Sequence, residues 1–154
     1  MALWVLHKEA LKDRDSALED GCVIRERIRI RTHGLKAALY WNAAAFGNCC
    51  TYSIYHEGSV IHRSYVIHRC FKFPFLKRND IEIGPCRTEE AWRGRNIYPF
   101  VLKRIAAGEL EEQGRAFLII SENNKSSMAG ARKAGFQKLC GVRKGFFHIY
   151  RISG

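Results

Sequence analysis

The chain has 154 residues, and its 26 Lys and Arg against 15 Asp and Glu give a formal charge of +11. That length suits one domain, residues 1–154, and a 47% hydrophobic content supplies a packed core and excludes a disordered chain. No apolar run approaches the roughly 20 residues of a membrane span. Met1–Leu6 runs straight into His7-Lys8-Glu9 without the apolar stretch of a secretory signal. A cytoplasmic protein with no membrane partner is therefore expected.

In chain order, His7–Leu18 carries a helical pattern that stops at Gly21. In Cys22–Arg31, four arginines (Arg25, Arg27, Arg29, Arg31) alternate with Glu26, Ile28 and Ile30. This reads as a strand with one charged face, of the kind that guards a sheet edge. It lacks the interleaved aromatics that stack bases, so nucleic acid is not favoured. Leu35–Phe46 is Ala-rich, with Leu35, Leu39, Asn42 and Phe46 at helical spacing and Gly47 as the stop. A hairpin follows: Thr51–Tyr55, a turn at Glu57-Gly58, then Val60–His68 in alternation.

Asp80–Ile83 begins another strand, and Glu89–Asn96 is a polar loop. Pro99 suits the first turn of a helix running to about Gln113, because its missing N–H costs nothing there. Ala116–Ile120 is wholly apolar, the mark of a central strand buried on both faces. Asn123-Asn124 caps a last helix that closes at Gly135-Phe136. Strands Gln137–Val142 and Phe146–Ile152 then join through Lys144-Gly145. Strands and helices alternate in the second half, which predicts an α/β or α+β layered fold with a twisted mixed sheet.

The cysteines (Cys22, Cys49, Cys50, Cys70, Cys86 and Cys140) form no Cys-x-x-Cys pair. They read as reduced, mostly buried thiols. His62 and His68 face one side of a strand about 20 Å apart, too far to share an ion. No metal is expected.

The chemically informative unit is a strand, a basic loop and a helix: Ile81–Thr88, Glu89–Asn96, then the helix from Tyr98. A loop that ends at a helix N-terminus offers unpaired N–H groups and the positive end of the dipole, where phosphate binds. The dipole contributes only about 0.3–1 kcal/mol, so the N–H bonds and Arg93 and Arg95 must supply the rest. Gly94 admits positive φ and close approach, and Asn96 is the non-glycine residue that tolerates it. An ordinary surface turn has the same composition.

Downstream lie Asn124-x-x-Ser127 and Lys133-Ala-Gly-Phe136. With Arg93-Gly-Arg-Asn-Ile-Tyr98 and Phe117-Leu-Ile-Ile-Ser-Glu-Asn-Asn124, the segment from Asp80 to about Phe136 resembles the GCN5-related N-acetyltransferase (GNAT) superfamily. The last two strands fall in place, giving a family-like core over about 80–152, whereas the first half matches only in element order. The resemblance implies a mixed β-sheet flanked by helices, with a V-shaped splay between two central parallel strands, in one acetyltransferase-like domain. It also implies acetyl-CoA as cosubstrate. Cys86, Arg87 and Thr88 would bond the pantetheine arm through their backbone. Arg93, Gly94, Arg95, Asn96, Ile97 and Tyr98 would hold the pyrophosphate, and Asn124, with Ser127, would contact the cofactor. Pro85, unable to donate into a ladder, suits a strand leaving its neighbour.

Where the family loop has glycines this chain has Asn96 and Tyr98, and Tyr98 sets a ring beside the pyrophosphate or the acceptor channel. The tyrosine frequent on the family's last helix falls on Ala131, which leaves protonation of the thiolate to Tyr98, another tyrosine or water. A thiol of pKa about 8.5 needs little such help. Glu82 resembles the family's strand carboxylate, a general base for the amine. Its other reading is a solvent-facing residue alternating with Ile81 and Ile83. His62, His68 and His148 are further candidate bases, or satisfied strand histidines. An acyl-Cys86 scheme lacks a partner residue.

The function these residues imply is N-acetyl transfer from acetyl-CoA to a primary amine by direct attack. The alternative is a catalytically weak acyl-CoA-binding or regulatory module on the same fold. A basic protein attracts acidic or phosphorylated amines, and the acceptor is read as a small molecule such as an amino sugar. A homodimer is left open.

Overall fold

The computed structural model describes residues 1–10, 23–27, 49–146 and 149–153. Its strands are β1 (Ala2–His7), β2 (Val23–Arg27), β3 (Cys49–His56) and β4 (Ser59–His68). They continue as β5 (Ile81–Thr88), β6 (Arg115–Ile120), β7 (Gln137–Lys144) and β8 (Tyr150–Ser153). All lie in one sheet, in the order β2-β3-β4-β5-β6-β1-β7-β8. Neighbours run antiparallel except β5 and β6, which are parallel. A parallel pair needs a crossover, supplied by helix α1 (Ile97–Glu109), while α2 (Lys125–Lys133) connects β6 to β7. This is the mixed α/β sheet flanked by helices that the sequence predicts.

The β5–β6 ladder is short. Ile81 pairs with Ala116 and Glu82 with Phe117, and the pairing ends there, although β5 stays on β4 as far as Thr88. Beyond Glu82 the two strands part, which is the expected V-shaped splay. The β4–β5 register shifts between Ser64 and Val66, with Gly84 and Pro85 as the bulged stretch opposite. A bulge bends its strand and Pro85 has no N–H to give, so the departure follows from the sequence. The Gly84–Pro85 peptide is cis.

Asp80, 1% exposed, pins the closed end of the V. Its carboxylate accepts from Arg115 Nε at 3.1 Å and Nη2 at 2.7 Å. It also accepts from the backbone N–H groups of Arg115 and Lys77. The first residues of β5 and β6 thus start from one buried, bidentate ion pair.

On one face α1 and α2 lay Val101, Leu102, Ile105 and Ala131 over Trp4, Ile81, Ile83 and Leu118. On the other, Leu3, Val5, Phe117 and Val142 pack with Phe73 and Leu76 from the β4–β5 connection.

The helix predicted over His7–Leu18 needs correcting at its start. His7 ends β1 and Lys8–Ala10 is a single 3-10 turn; the remainder lies outside the described residues, as does the helix predicted over Leu35–Phe46. β1 escapes a pattern search because it runs between β6 and β7 with Ala2–Leu6 buried, a continuous apolar run without alternation. Of the charged strand predicted over Cys22–Arg31, Val23–Arg27 forms β2, at the edge of the sheet among the described strands, and the remainder lies outside the described residues. The hairpin turns at Glu57 and Gly58, with φ of 48° and 75°. β8 begins at Tyr150 rather than Phe146, because the Gly145 N–H bonds the Ile149 carbonyl and closes a wider loop. Among the described residues no helix is long and apolar enough to cross a membrane.

Candidate active site

Past the last β5–β6 rung lies a cleft of about 570 Å³. The end of β5 contributes Cys86, Arg87 and Thr88; the following loop and first turn of α1 contribute Arg93, Gly94, Asn96, Ile97 and Tyr98. Asn124, Ser127 and Lys133, at and on α2, complete it. Of the residues predicted around a cofactor, Arg95 is the exception. Its guanidinium stacks on the Trp92 ring, 4.5 Å from the centroid, and His56 packs on that ring as well.

Gly94 and Asn96 take φ of 78° and 57°, the left-handed region their residue types were expected to reach. Asn96 does not cap α1 with its side chain; its Oδ1 accepts from Lys133 Nζ at 3.0 Å. Pro99 has no N–H and the Phe100 N–H bonds the Asn96 carbonyl. The first-turn donors left for a ligand are therefore those of Ile97 and Tyr98. Arg93 Nε donates to the Thr88 carbonyl at 3.3 Å, which holds its guanidinium at the end of β5. Arg87 is drawn aside by Glu89 at 3.5 Å, so its contribution to the cleft is mainly backbone. Arg93 and Lys133 give the cleft a positive field.

Asn124 does two things at once. It lines the cleft and caps α2, its Oδ1 accepting from the Ser127 N–H and the Ser126 hydroxyl, both at 3.0 Å. Helix capping alone accounts for its spacing from Ser127.

Tyr98 fits against α2 because position 130 is glycine: a Cβ there would lie 2.5 Å from Tyr98 Cδ1. Burial pushes the Tyr98 phenol well above the usual tyrosine range. It stays a hydroxyl, able to donate a hydrogen bond and weak as an acid. Ala131 is fully buried in the core.

Glu82 stands at the vertex of the V, on the face opposite the helices, beside its partners Phe117 and Ile67. It is 5% exposed, which overturns the solvent-facing reading. Its Oε2 has no hydrogen-bond partner among the described residues. Its Oε1 lies over Gly84, where a Cβ would meet it at 2.8 Å. Burial pushes the carboxyl up to about 8, against a smaller downward pull from Lys72. Glu82 does not line the cleft, yet its charge reaches Cys86 and Tyr98.

His62 is 1% exposed, with Nδ1 2.7 Å from Thr88 Oγ1 and Nε2 2.8 Å from Ser64 Oγ. Burial lowers its pKa to about 4, so it is neutral with both nitrogens engaged, a satisfied strand histidine and not a base. His68 pairs with Glu109 at 3.3 Å, away from the cleft, and His148 lies outside the described residues. Burial pushes the Cys86 thiol up to about 12, unsuited to a nucleophile. Trp92, Ser126, Ala129, Gly130 and Lys133 also line the cleft without having been predicted as site residues. Of these only Gly130, a glycine inside a helix, carries a sequence signal.

The fold is that of the GNAT acetyltransferases. An acetyltransferase of the GNAT family from Novosphingobium aromaticivorans superposes with TM-score 0.55 and 12% identity, over 90% of this chain and 60% of that one. A conserved protein of unknown function from Staphylococcus epidermidis gives 0.59 and 11% identity, over 90% and 57%. A GNAT-family acetyltransferase from Colwellia psychrerythraea gives 0.47 and 15% identity, over 89% and 52%. The chain thus spans less than two thirds of each of these structures, and its likeness to the first two is one of fold. No protein-family model and no curated protein matches the sequence.

Proposed function

We propose that the chain is an acyl-CoA-dependent N-acetyltransferase, moving an acetyl group from acetyl-CoA to a primary amine by direct attack. The observation that carries this reading is the vertex at Glu82. A cleft with helix N-terminal donors and two cations opens on one face, and a buried carboxylate with an unpartnered oxygen waits on the other.

The cleft suits an anion joined to a narrow amide-bearing arm. The N–H groups of Ile97 and Tyr98, with Arg93 and Lys133, would hold the pyrophosphate. The β5 edge from Cys86 to Thr88, unpaired with β6, would bond the pantetheine amides as an added strand is bonded. The bound thioester supplies the acyl group. Backbone N–H groups past the bulge would polarise its carbonyl, preorganised because the strand is fixed on β4. Glu82, at about 8, is partly ionised near neutral pH and takes the proton of the attacking amine. Tyr98 donates a hydrogen bond, and the thiolate leaves without a strong acid.

The charge of +11 favours a small acidic or phosphorylated amine, such as an amino-sugar phosphate, over a polyamine. A second reading, an acyl-CoA-binding module without turnover, is favoured by one observation. Tyr98 is a weak acid, and Ala131, where the resemblance puts a tyrosine, carries no acid at all. Free-thiol release from acetyl-CoA against a panel of small primary amines separates the two. Release with formation of the N-acetyl product supports the enzyme, and binding without turnover supports the module.

A further inference from the structure

None of the proposed chemistry uses His62, yet it lies buried directly behind a wall of the cleft. A buried neutral imidazole must have both nitrogens matched, one as donor and one as acceptor. The matches here are hydroxyls on two strands, Thr88 on β5 at 2.7 Å and Ser64 on β4 at 2.8 Å. Ser64 is in turn the ladder partner of Cys86 on β5. The bond to Thr88 holds a cleft-lining position from behind. It needs holding, because this part of β5 has left β6 and keeps ladder bonds on one edge only. The Thr88 carbonyl in turn accepts from Arg93 Nε, and the His62 ring lies 6.4 Å from the Tyr98 ring, centroid to centroid.

We infer that His62 is a positioning residue of the cleft, fixing Thr88 and, through Thr88, the Arg93 guanidinium in the geometry that receives the anionic ligand. A threonine hydroxyl otherwise rotates to suit any neighbour; the imidazole sets its direction. The inference rests on the reading of the cleft as an acetyl-CoA site.

Asparagine and glutamine place an amide near the positions of Nδ1 and Nε2 respectively. His62→Asn therefore keeps the Thr88 bond, and His62→Gln keeps only the Ser64 bond. In calorimetric titrations with acetyl-CoA, His62→Gln and Thr88→Val should each weaken binding about 5- to 10-fold, the worth of one hydrogen bond. The double variant should bind no more weakly than the worse single, and His62→Asn should stay within about 2-fold of the wild type. A His62→Gln variant with a lowered thermal midpoint but wild-type affinity, or losses that multiply in the double variant, would overturn the inference. If the wild type does not bind acetyl-CoA, the functional reading fails on its own account. In that case, or if neither His62 variant folds, the His62 ring 15N shifts decide. A change on Thr88→Val supports the held geometry, and no change contradicts it.

Discussion

Glu82 and Phe117 form the last rung of the only parallel ladder among the described strands. That pairing sets a carboxylate at the point where the sheet opens, on the face away from α1 and α2. The cleft and the carboxylate therefore lie on opposite faces and meet at the gap between β5 and β6. This is how a side chain packed beside Ile67 and Phe117 still bears on Cys86 and Tyr98.

The pH behaviour of Glu82 follows from the direction of its shift. Its folded pKa of about 8 lies above the ordinary 4.5, so the fold favours the protonated form. That stabilisation is complete below the ordinary value and is lost as pH rises through about 8. Glu82→Gln, neutral throughout, should be more stable than the wild type at about pH 9 and close to it at about pH 5, as read by urea unfolding. The same variant should lose about 10²- to 10⁴-fold in kcat. In the wild type kcat/KM should rise through about pH 8, and in the variant this step should vanish.

Gly130→Ala puts a methyl group into the Tyr98 ring, whose Cδ1 lies 2.5 Å from the position of that Cβ. Despite the better helix propensity of alanine, overpacking of this kind costs about 1–3 kcal/mol. Thermal unfolding should show the loss, and a Tyr98→Ala background should remove most of it.

Lys133 lines the cleft and Arg95 does not, so their removal should have different effects. Lys133→Ala removes a cleft cation bonded to Asn96, and acetyl-CoA affinity should fall about 10-fold, with a weaker salt dependence. Arg95→Ala removes only a stack on Trp92, costing about 0.5–1 kcal/mol of stability, and should leave affinity within about 2-fold.

Asp80→Ala leaves Arg115 without its buried partner and strips two backbone N–H groups of their acceptor. Breaking such a pair costs about 3–5 kcal/mol. Chemical denaturation should show a loss of that size, whereas Asp80→Asn, which keeps one of the two acceptor oxygens, should lose less.

The sequence was most informative where local chemistry and tertiary position agree. Gly58, Gly94 and Asn96 mark turns because their backbones require positive φ, and Asn124 marks α2 because it caps it. Ala116–Ile120 reads as central because a strand buried on both faces needs no alternation. That same absence of alternation hides β1, which runs between β6 and β7 with Ala2–Leu6 buried. Glu82 illustrates the opposite limit: a carboxylate alternating with isoleucines looks solvated until Phe73 and Leu76, folded back from the irregular β4–β5 connection, pack on that face. Arg93 and Arg95 read alike as arginines of the loop before α1, but the turn at Gly94 sends the two side chains to different partners, Thr88 and Trp92.

Every role proposed for the cleft residues requires that acetyl-CoA enter the cleft. Calorimetric titration at about 150 mM salt, where screening suppresses non-specific attraction to a basic surface, should show binding by the wild type. The same titration of Arg93→Ala should show affinity reduced at least about 10-fold, because a charge-assisted contact is lost. Absence of binding by the wild type, or equal binding by wild type and Arg93→Ala, would contradict the assignment of the cleft.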